Sequence, residues 1–185
     1  MEKQTFTVGR NEGKKDIRTA FIFSCPGQEE LKSGLLVNGQ TGKNLDMMLT
    51  FLNAKRPDIF PSVNRYDYRI TNSSEIVHYK AHDQRTEPSV SEINNEKNIE
   101  RLKNDISGYD YVITFGRCSA IAADNLKQRG VCKETVFLYS RHLSFLCLNS
   151  SINTDVHGNP IERGCENATA KRLEAAAEMI LQQLS

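Results

Sequence analysis

Four short runs of β-branched and aromatic residues, each bounded by Gly, Pro, Asp or Asn, recur along the chain: Ala20 to Cys25, Tyr68 to Asn72, Tyr111 to Phe115 and Thr135 to Tyr139. Their composition predicts strands. Stretches with helical periodicity lie between them. Leu45, Met48, Leu49 and Leu52 make one apolar stripe within the segment Thr41 to Leu52. Ile93, Ile99, Leu102 and Ile106 predict a single helix over 89–106, opened by Ser89 or Ser91 and closed by Gly108. A third helix is expected from Ser119 to Arg129, and a last one from Glu166 to Leu184, with Leu173, Ala176, Ala177, Ile180 and Leu184 on one face. Strands that alternate with helices need right-handed βαβ crossovers, because a parallel pair cannot be joined by a tight turn. The expectation is therefore an α/β fold of three layers, α/β/α, around a four-stranded parallel sheet. In such a sheet, working residues sit in loops beyond the carboxyl ends of the strands. That directs attention to Ser24–Gly34, Asn72–Arg85, Gly116–Arg117 and Ser140–Ser150.

At 185 residues the chain suits one domain over 1–185, with the polar stretch 1–17, which carries Gly9 and Gly13, expected as a flexible arm. No apolar run approaches the length of a membrane span, and the opening MEKQTFTVGRNEGKK has no apolar signal-peptide region, so a cytoplasmic protein is expected. The 24 Lys and Arg against 23 Asp and Glu leave a net charge of +1. This excludes a histone-like binder while leaving room for a local basic face. Cys25, Cys118, Cys132, Cys147 and Cys165 include no C-x-x-C pair, so they read as reduced thiols rather than as metal ligands, and no metal or other cofactor is expected.

The loop after the first strand reads Cys25-Pro26-Gly27-Gln28-Glu29-Glu30, followed by Gly34, Gly39 and Gly42. Those glycines suit a backbone that bends round a ligand, although a plain Gly-rich βα loop would look the same. Neither a P-loop nor a dinucleotide fingerprint is present. Asn72, at the end of the second strand, could present an amide to a nucleobase edge, but such an Asn is more commonly a turn residue. The segment Arg141-His142-Leu143-Ser144 carries a loop histidine able to donate a hydrogen bond or a proton, or simply to fill a structural role.

Taken together, these segments resemble the uracil-DNA glycosylase superfamily, most closely its thermostable family-four branch. That branch reads G-E-A-P-G, then G-x-P-F-V-G-x-A-G-x-L-L-D, I-T-N, R-T-P-x-P-x-E-I, a strand ending in Gly, and H-P-S. Here the corresponding stretches are Phe23 to Gly27, Gly34, Gly39 and Gly42 with Leu45-Asp46, Ile70-Thr71-Asn72, Arg85-Thr86 with Pro88, Glu92-Ile93, Thr114-Phe115-Gly116, and His142 with Ser144. The order holds from about residue 20 to 150. The resemblance implies a sheet of uracil-DNA glycosylase type and hydrolysis of the N-glycosidic bond of a base flipped out of DNA. By that likeness Asn72 reads the pyrimidine edge and His142 stabilises the departing base, while Ser24, Cys25, Pro26, Gly27, Val37 and Ser144 line the base pocket.

The chain departs from the family at telling positions. Ser24 replaces the family-four acid, and Cys25 stands where other branches have Asp or Asn, so the usual water-activating position is empty. Val37 falls where the family has a Phe that stacks on uracil. The iron–sulfur cysteines are absent, and the loop after the second strand is longer, with His78, Lys80, His82 and Asp83. Two accounts follow: a degenerate DNA-binding module, or a glycosylase for a larger, 5-substituted pyrimidine with an acid borrowed from Glu29, Glu30, Glu75 or Asp83. The second is preferred, because Asn72 and His142 persist together. Excision of uracil remains open within it, and the setting would be DNA repair or defence against phage with modified DNA. Lys43, Arg117 and Arg141 are candidates for phosphate contacts. Phe145 and Leu146 fall where the superfamily inserts an apolar wedge into DNA. The expected partner is DNA, bound by a monomer.

Overall fold

The computed structural model describes residues 5–162 and 164–184. The strands are β1 (Thr19–Phe23), β2 (Arg69–Asn72), β3 (Tyr111–Phe115) and β4 (Val136–Ser140). They form one parallel sheet in the order β2-β1-β3-β4. Registers such as Phe23 with Asn72, Ile22 with Thr114 and Phe115 with Ser140 bring the carboxyl ends of all four strands to one edge.

Successive strand residues point to opposite faces. Phe21, Phe23, Ile70, Ile113 and Phe115 therefore enter one core with α2 (Gln40–Lys55) and α8 (Ala168–Leu181). Ala20, Ile22, Val112 and Phe137 enter the other, with α5 (Glu96–Ile106) and α6 (Arg117–Gln128). Helices on both faces of a four-stranded parallel sheet make the three-layer α/β/α arrangement expected from the alternation. The α2 stripe of Leu45, Met48, Leu49 and Leu52 is fully buried, which contributes about 1.5–3 kcal/mol per side chain.

The expected helix over 89–106 is two helices, α4 (Val90–Ile93) and α5. Ser89 and Glu92 form a capping box that starts the first, and Asn95 accepts from the Lys97 amide to start the second, so local caps override continuation. The last helix begins at Ala168 rather than Glu166, because Asn167 sits at φ 60°, outside the helical region. Among the described residues three short α-helices also occur that periodicity did not suggest: α1 (Gln28–Ser33), α3 (Lys80–Asp83) and α7 (Phe145–Ser151).

The described part of the expected flexible arm is an edge element. Thr7 and Asn11 bridge antiparallel to Ile76 and Ile70, the Asn11 amide donates to the carbonyls of Tyr66 and Tyr68, and Val8 and Ile17 are buried. The exposed edge of β2 is thereby covered. Residues 1–4 of the arm lie outside the described residues. Among the described residues no helix is long and apolar enough to cross a membrane.

Candidate functional site

Phe23 stacks on Phe115 at 4.6 Å and fixes the point where the chain leaves β1. The Ser24 carbonyl then accepts from the Ser74 amide at 3.2 Å and the Ser73 hydroxyl at 2.5 Å. The Pro26 carbonyl accepts from the His78 amide at 3.1 Å. The loops after β1 and β2 are thus laced together by main chain. Glu30 closes the far side, its carboxylate accepting from the Gly27 amide at 2.6 Å and the Val37 amide at 2.5 Å. Burial pushes the Glu30 pKa up against the opposing pull of these two amides. With both oxygens engaged, Glu30 holds the loop's shape rather than offering a free base.

Val37 is buried at φ 53°, a left-handed conformation that a β-branched residue rarely adopts. The following helix presses on this strained turn. A Cβ on Gly42 would fall 1.9 Å from the Val37 carbonyl, so only glycine fits there.

A cavity of about 350 Å³ opens between these loops, with Ser24, Cys25, Gly27, Val37, His78 and His142 in its wall. Burial pushes the Cys25 thiol up to about 12, so it remains protonated and a poor nucleophile at neutral pH. Glu29 borders the same cavity but is exposed and paired with Lys32 at 2.8 Å.

His142 is positioned from three sides. Gly116 at φ 90° gives it room, because a Cβ there would lie 3.1 Å from the His142 Cβ. Asn44 on α2 donates to the Leu143 carbonyl at 2.7 Å and tethers the loop. The Ser144 amide donates to His142 Nδ1 at 3.1 Å, so the neutral ring carries its proton on Nε2. Burial lowers the His142 pKa, opposed by the charge of Glu87, and the imidazole is accordingly neutral at pH 7. Ser144 has a second task, since its hydroxyl caps α7 by accepting from the Cys147 amide. Asn44 was missed in the sequence. Its signal is a polar residue beside Leu45 on a helix face that turns inward, where a buried amide needs a partner.

Asn72 is 2% exposed and both atoms of its side-chain amide lack a hydrogen-bond partner. It is not part of the described cavity wall. Its carbonyl is held by Arg101 at 2.7 Å. Ser24 Oγ, His78 Nε2 and Ser140 Oγ are likewise buried without partners. Such orphans are costly and uncommon in folded proteins. These four residues lie where β1, β2 and β4 end, while two further orphans, on Arg65 and Arg69, lie before and at the start of β2.

Asp83 stands behind His78, with Oδ2 2.5 Å from Nδ1, and does not itself line the cavity. Its pKa is lowered: burial works against this, but the bonds from His78 and from the Arg85 amide prevail. Glu75 faces Arg101 at 3.7 Å. His82 stacks on Tyr79 and touches the Phe6 ring, so it braces the edge segment rather than the cavity.

On the other side of His142 lies a larger hollow of about 840 Å³ that shares Ser24 and Thr86 with the first. Arg117, Arg141, Ser144 and Leu146 line it. Arg117 and Arg141 are exposed and make no ion pair among the described residues, and Leu146 is 83% exposed. Phe145 faces a different hollow beside Cys165 and Ala168. Lys43, exposed in the first turn of α2, lines none of these spaces. The structure thus brings His142, Ser24, Cys25, Gly27, Val37, Glu29 and Glu30 around one cavity, sets Arg117, Arg141, Ser144 and Leu146 around its neighbour, and separates Lys43 and Phe145 from both. Pro26 acts through its carbonyl in the lacing of the loops. Among the described residues no group of three or more His, Cys, Asp or Glu is arranged to hold a metal ion. No protein-family model and no curated protein sequence matches the chain.

Proposed function

We propose that this chain is a DNA glycosylase that hydrolyses the N-glycosidic bond of a flipped-out base, with a 5-substituted pyrimidine preferred over uracil. The observation that carries this reading is the neutral His142, its Nε2–H left free by the Ser144 amide on Nδ1, in the wall of a cavity at the carboxyl edge of the sheet. When the glycosidic bond breaks, its electron pair stays on the base, and a preorganised N–H donor stabilises that charge without a proton having to move first. The partnerless Asn72 amide lies outside the cavity wall, so on this reading a base entering at the carboxyl edge of the sheet has to displace loop atoms to reach its N–H donors and carbonyl acceptor. A volume of about 350 Å³ sits at the small end of the roughly 300–1,000 Å³ typical of small-molecule sites, suited to a single base.

Val37 in place of a stacking ring leaves room for a 5-substituent. On this reading Arg117 and Arg141, which line the neighbouring hollow, supply phosphate contacts, and the exposed Leu146 fills the gap left in the stack. The protein acts as a monomer in the cytoplasm, in repair or in defence against phage whose DNA is modified.

The test is a panel of oligonucleotides bearing uracil, hypoxanthine or 5-substituted cytosines and uracils, assayed for abasic sites. Base loss is expected from the 5-substituted pyrimidines, slowed about 100-fold or more by His142→Ala with little change in binding. Tight binding with no base loss anywhere on the panel would favour the degenerate binding module instead.

A further inference from the structure

If the protein is a glycosylase, some group must take a proton from the attacking water, and the family's acid is replaced by Ser24. Resting on that reading, we propose that Glu87, in the segment that leads into α4, is the base that activates the water.

The position follows from how the two hollows meet. Both are bordered by Ser24, Thr86 and His142, which therefore form the seam between them. With the base in the smaller hollow, its sugar lies at that seam and the phosphates of the strand run beside Arg117 and Arg141 in the larger one. A water that displaces a leaving group directly attacks the opposite face of the sugar. That face turns towards the larger hollow.

Among the described acidic residues, Glu29 and Glu30 border the smaller hollow and Glu87 alone borders the larger. Glu29 is exposed and paired with Lys32, and Glu30 has both oxygens on backbone amides. Asp83 and Glu92 stand behind the wall, engaged by His78, Arg85 and Ser89. Glu87 makes no ion pair among the described residues and is exposed to water. Its main chain is nonetheless held, since the Glu87 carbonyl accepts from Arg85 at 3.1 Å and the neighbouring Thr86 carbonyl accepts from the Cys25 thiol at 3.6 Å. The next residue, Pro88, is buried.

The field of the carboxylate is consistent with this placement. Burial is the largest influence on His142, Cys25 and Cys118, lowering the pKa of the first and raising those of the thiols, and at each of the three the Glu87 charge is a further upward push. A charge felt at all three stands over the seam. The groups around it are thus these three and the two arginines of the larger hollow.

The step balances as a hydrolysis. The water oxygen bonds to the sugar's anomeric carbon as the C–N bond breaks, and the bonding electron pair leaves with the base beside the His142 Nε2–H. One water proton passes to the Glu87 carboxylate and then to solvent, and the departed base takes up a proton from solvent. No oxidant or second substrate is needed. Until it takes that proton, the anionic carboxylate also faces the positive charge that develops on the sugar.

Single-turnover base loss is measured for wild type, Glu87→Gln, Glu87→Ala and His142→Ala, with oligonucleotide binding and thermal unfolding recorded for each. Gln at position 87 keeps the length of the side chain and cannot take the proton. Glu87→Gln is expected to lower the rate about 100-fold or more. Binding should hold or tighten, because a negative charge beside the DNA phosphates has been removed, and the unfolding midpoint of this exposed position should stay where it is. Glu87→Ala should be as slow, and added formate, a small carboxylate able to occupy the space left by the side chain, should restore part of its rate while leaving His142→Ala unimproved. Loosened packing would not be repaired by formate. This arm also decides the matter should Glu87→Gln fail to fold.

A Glu87→Gln rate within about threefold of wild type, a rate loss matched by lost binding, or formate that fails to speed Glu87→Ala would overturn the role of Glu87 and leave the glycosylase reading standing. No base loss by the wild-type protein from any oligonucleotide would overturn both.

Discussion

Thr71 and Asn72 are neighbours on β2 and equally buried, yet their surroundings differ in kind. The Thr71 hydroxyl donates to Asp105 at 2.7 Å and receives Arg101 at 2.8 Å, and Asp105 also accepts from Arg101 and Arg10. Every group in that cluster has its partner. On the opposite face of the strand, the Asn72 amide has none. A saturated network stabilises one conformation, whereas an unsatisfied buried amide costs stability. The comparison separates, within two residues, a part of the sheet whose polar groups are all paired from one whose polar groups are not.

The largest expected effect breaks the saturated side. Asp105→Ala leaves Arg101 and Arg10 without their shared carboxylate inside the fold, and should cost about 3–5 kcal/mol in denaturant unfolding. Asn72→Ala is the contrasting case. Because it removes polar atoms that have no partner, stability should stay level or rise, by at most about 1–3 kcal/mol, while base excision is lost. Were Asn72→Ala to destabilise the protein as Asp105→Ala does, the distinction between the two sides would fail.

Much of this contrast was beyond reach of the sequence. The strands were legible because each is a compact β-branched or aromatic run between turn formers, and the loops beyond their carboxyl ends do enclose a cavity. The break in the helix over 89–106 was not read, though Ile93 and Ile99 are six residues apart and fall on different faces of a continuous helix. Asn95, which caps α5, looks in sequence like any polar surface residue. Residues 5–17 looked loose because they are held by backbone bridges, by Asn11 on a strand edge and by single ion pairs from Arg10 and Lys14, which leave no periodic trace. That His142, Val37 and the Cys25 loop lie together around one cavity follows from the strand-end rule, since each sits in or beside a loop beyond a carboxyl end. The engagement of Glu30 by two amides and of His78 by Asp83 was not legible, since both depend on short helices, α1 and α3, that carry no repeat of their own.

A smaller effect concerns the cavity. Val37→Phe should move the preference from 5-substituted pyrimidines towards uracil, with the ring restoring about 1–3 kcal/mol of base stacking; competition between the two oligonucleotides reads the ratio. An unchanged ratio would remove Val37 from the base pocket. Smaller still, Arg117→Ala or Arg141→Ala should weaken binding similarly for every DNA sequence, each lowering the slope of log affinity against log salt by about one. Lys43→Ala, which touches neither hollow, should leave that slope closer to wild type.

The central claim is that the cavity beside His142 releases a base by hydrolysis. Mass spectrometry of a single-turnover reaction on an oligonucleotide with one 5-substituted pyrimidine tests it most directly. The expected result is free base and an abasic strand in equal amounts from the wild-type protein, with release by His142→Ala slower by about 100-fold. An oligonucleotide that is bound but recovered intact, or base release that His142→Ala leaves undiminished, would contradict it.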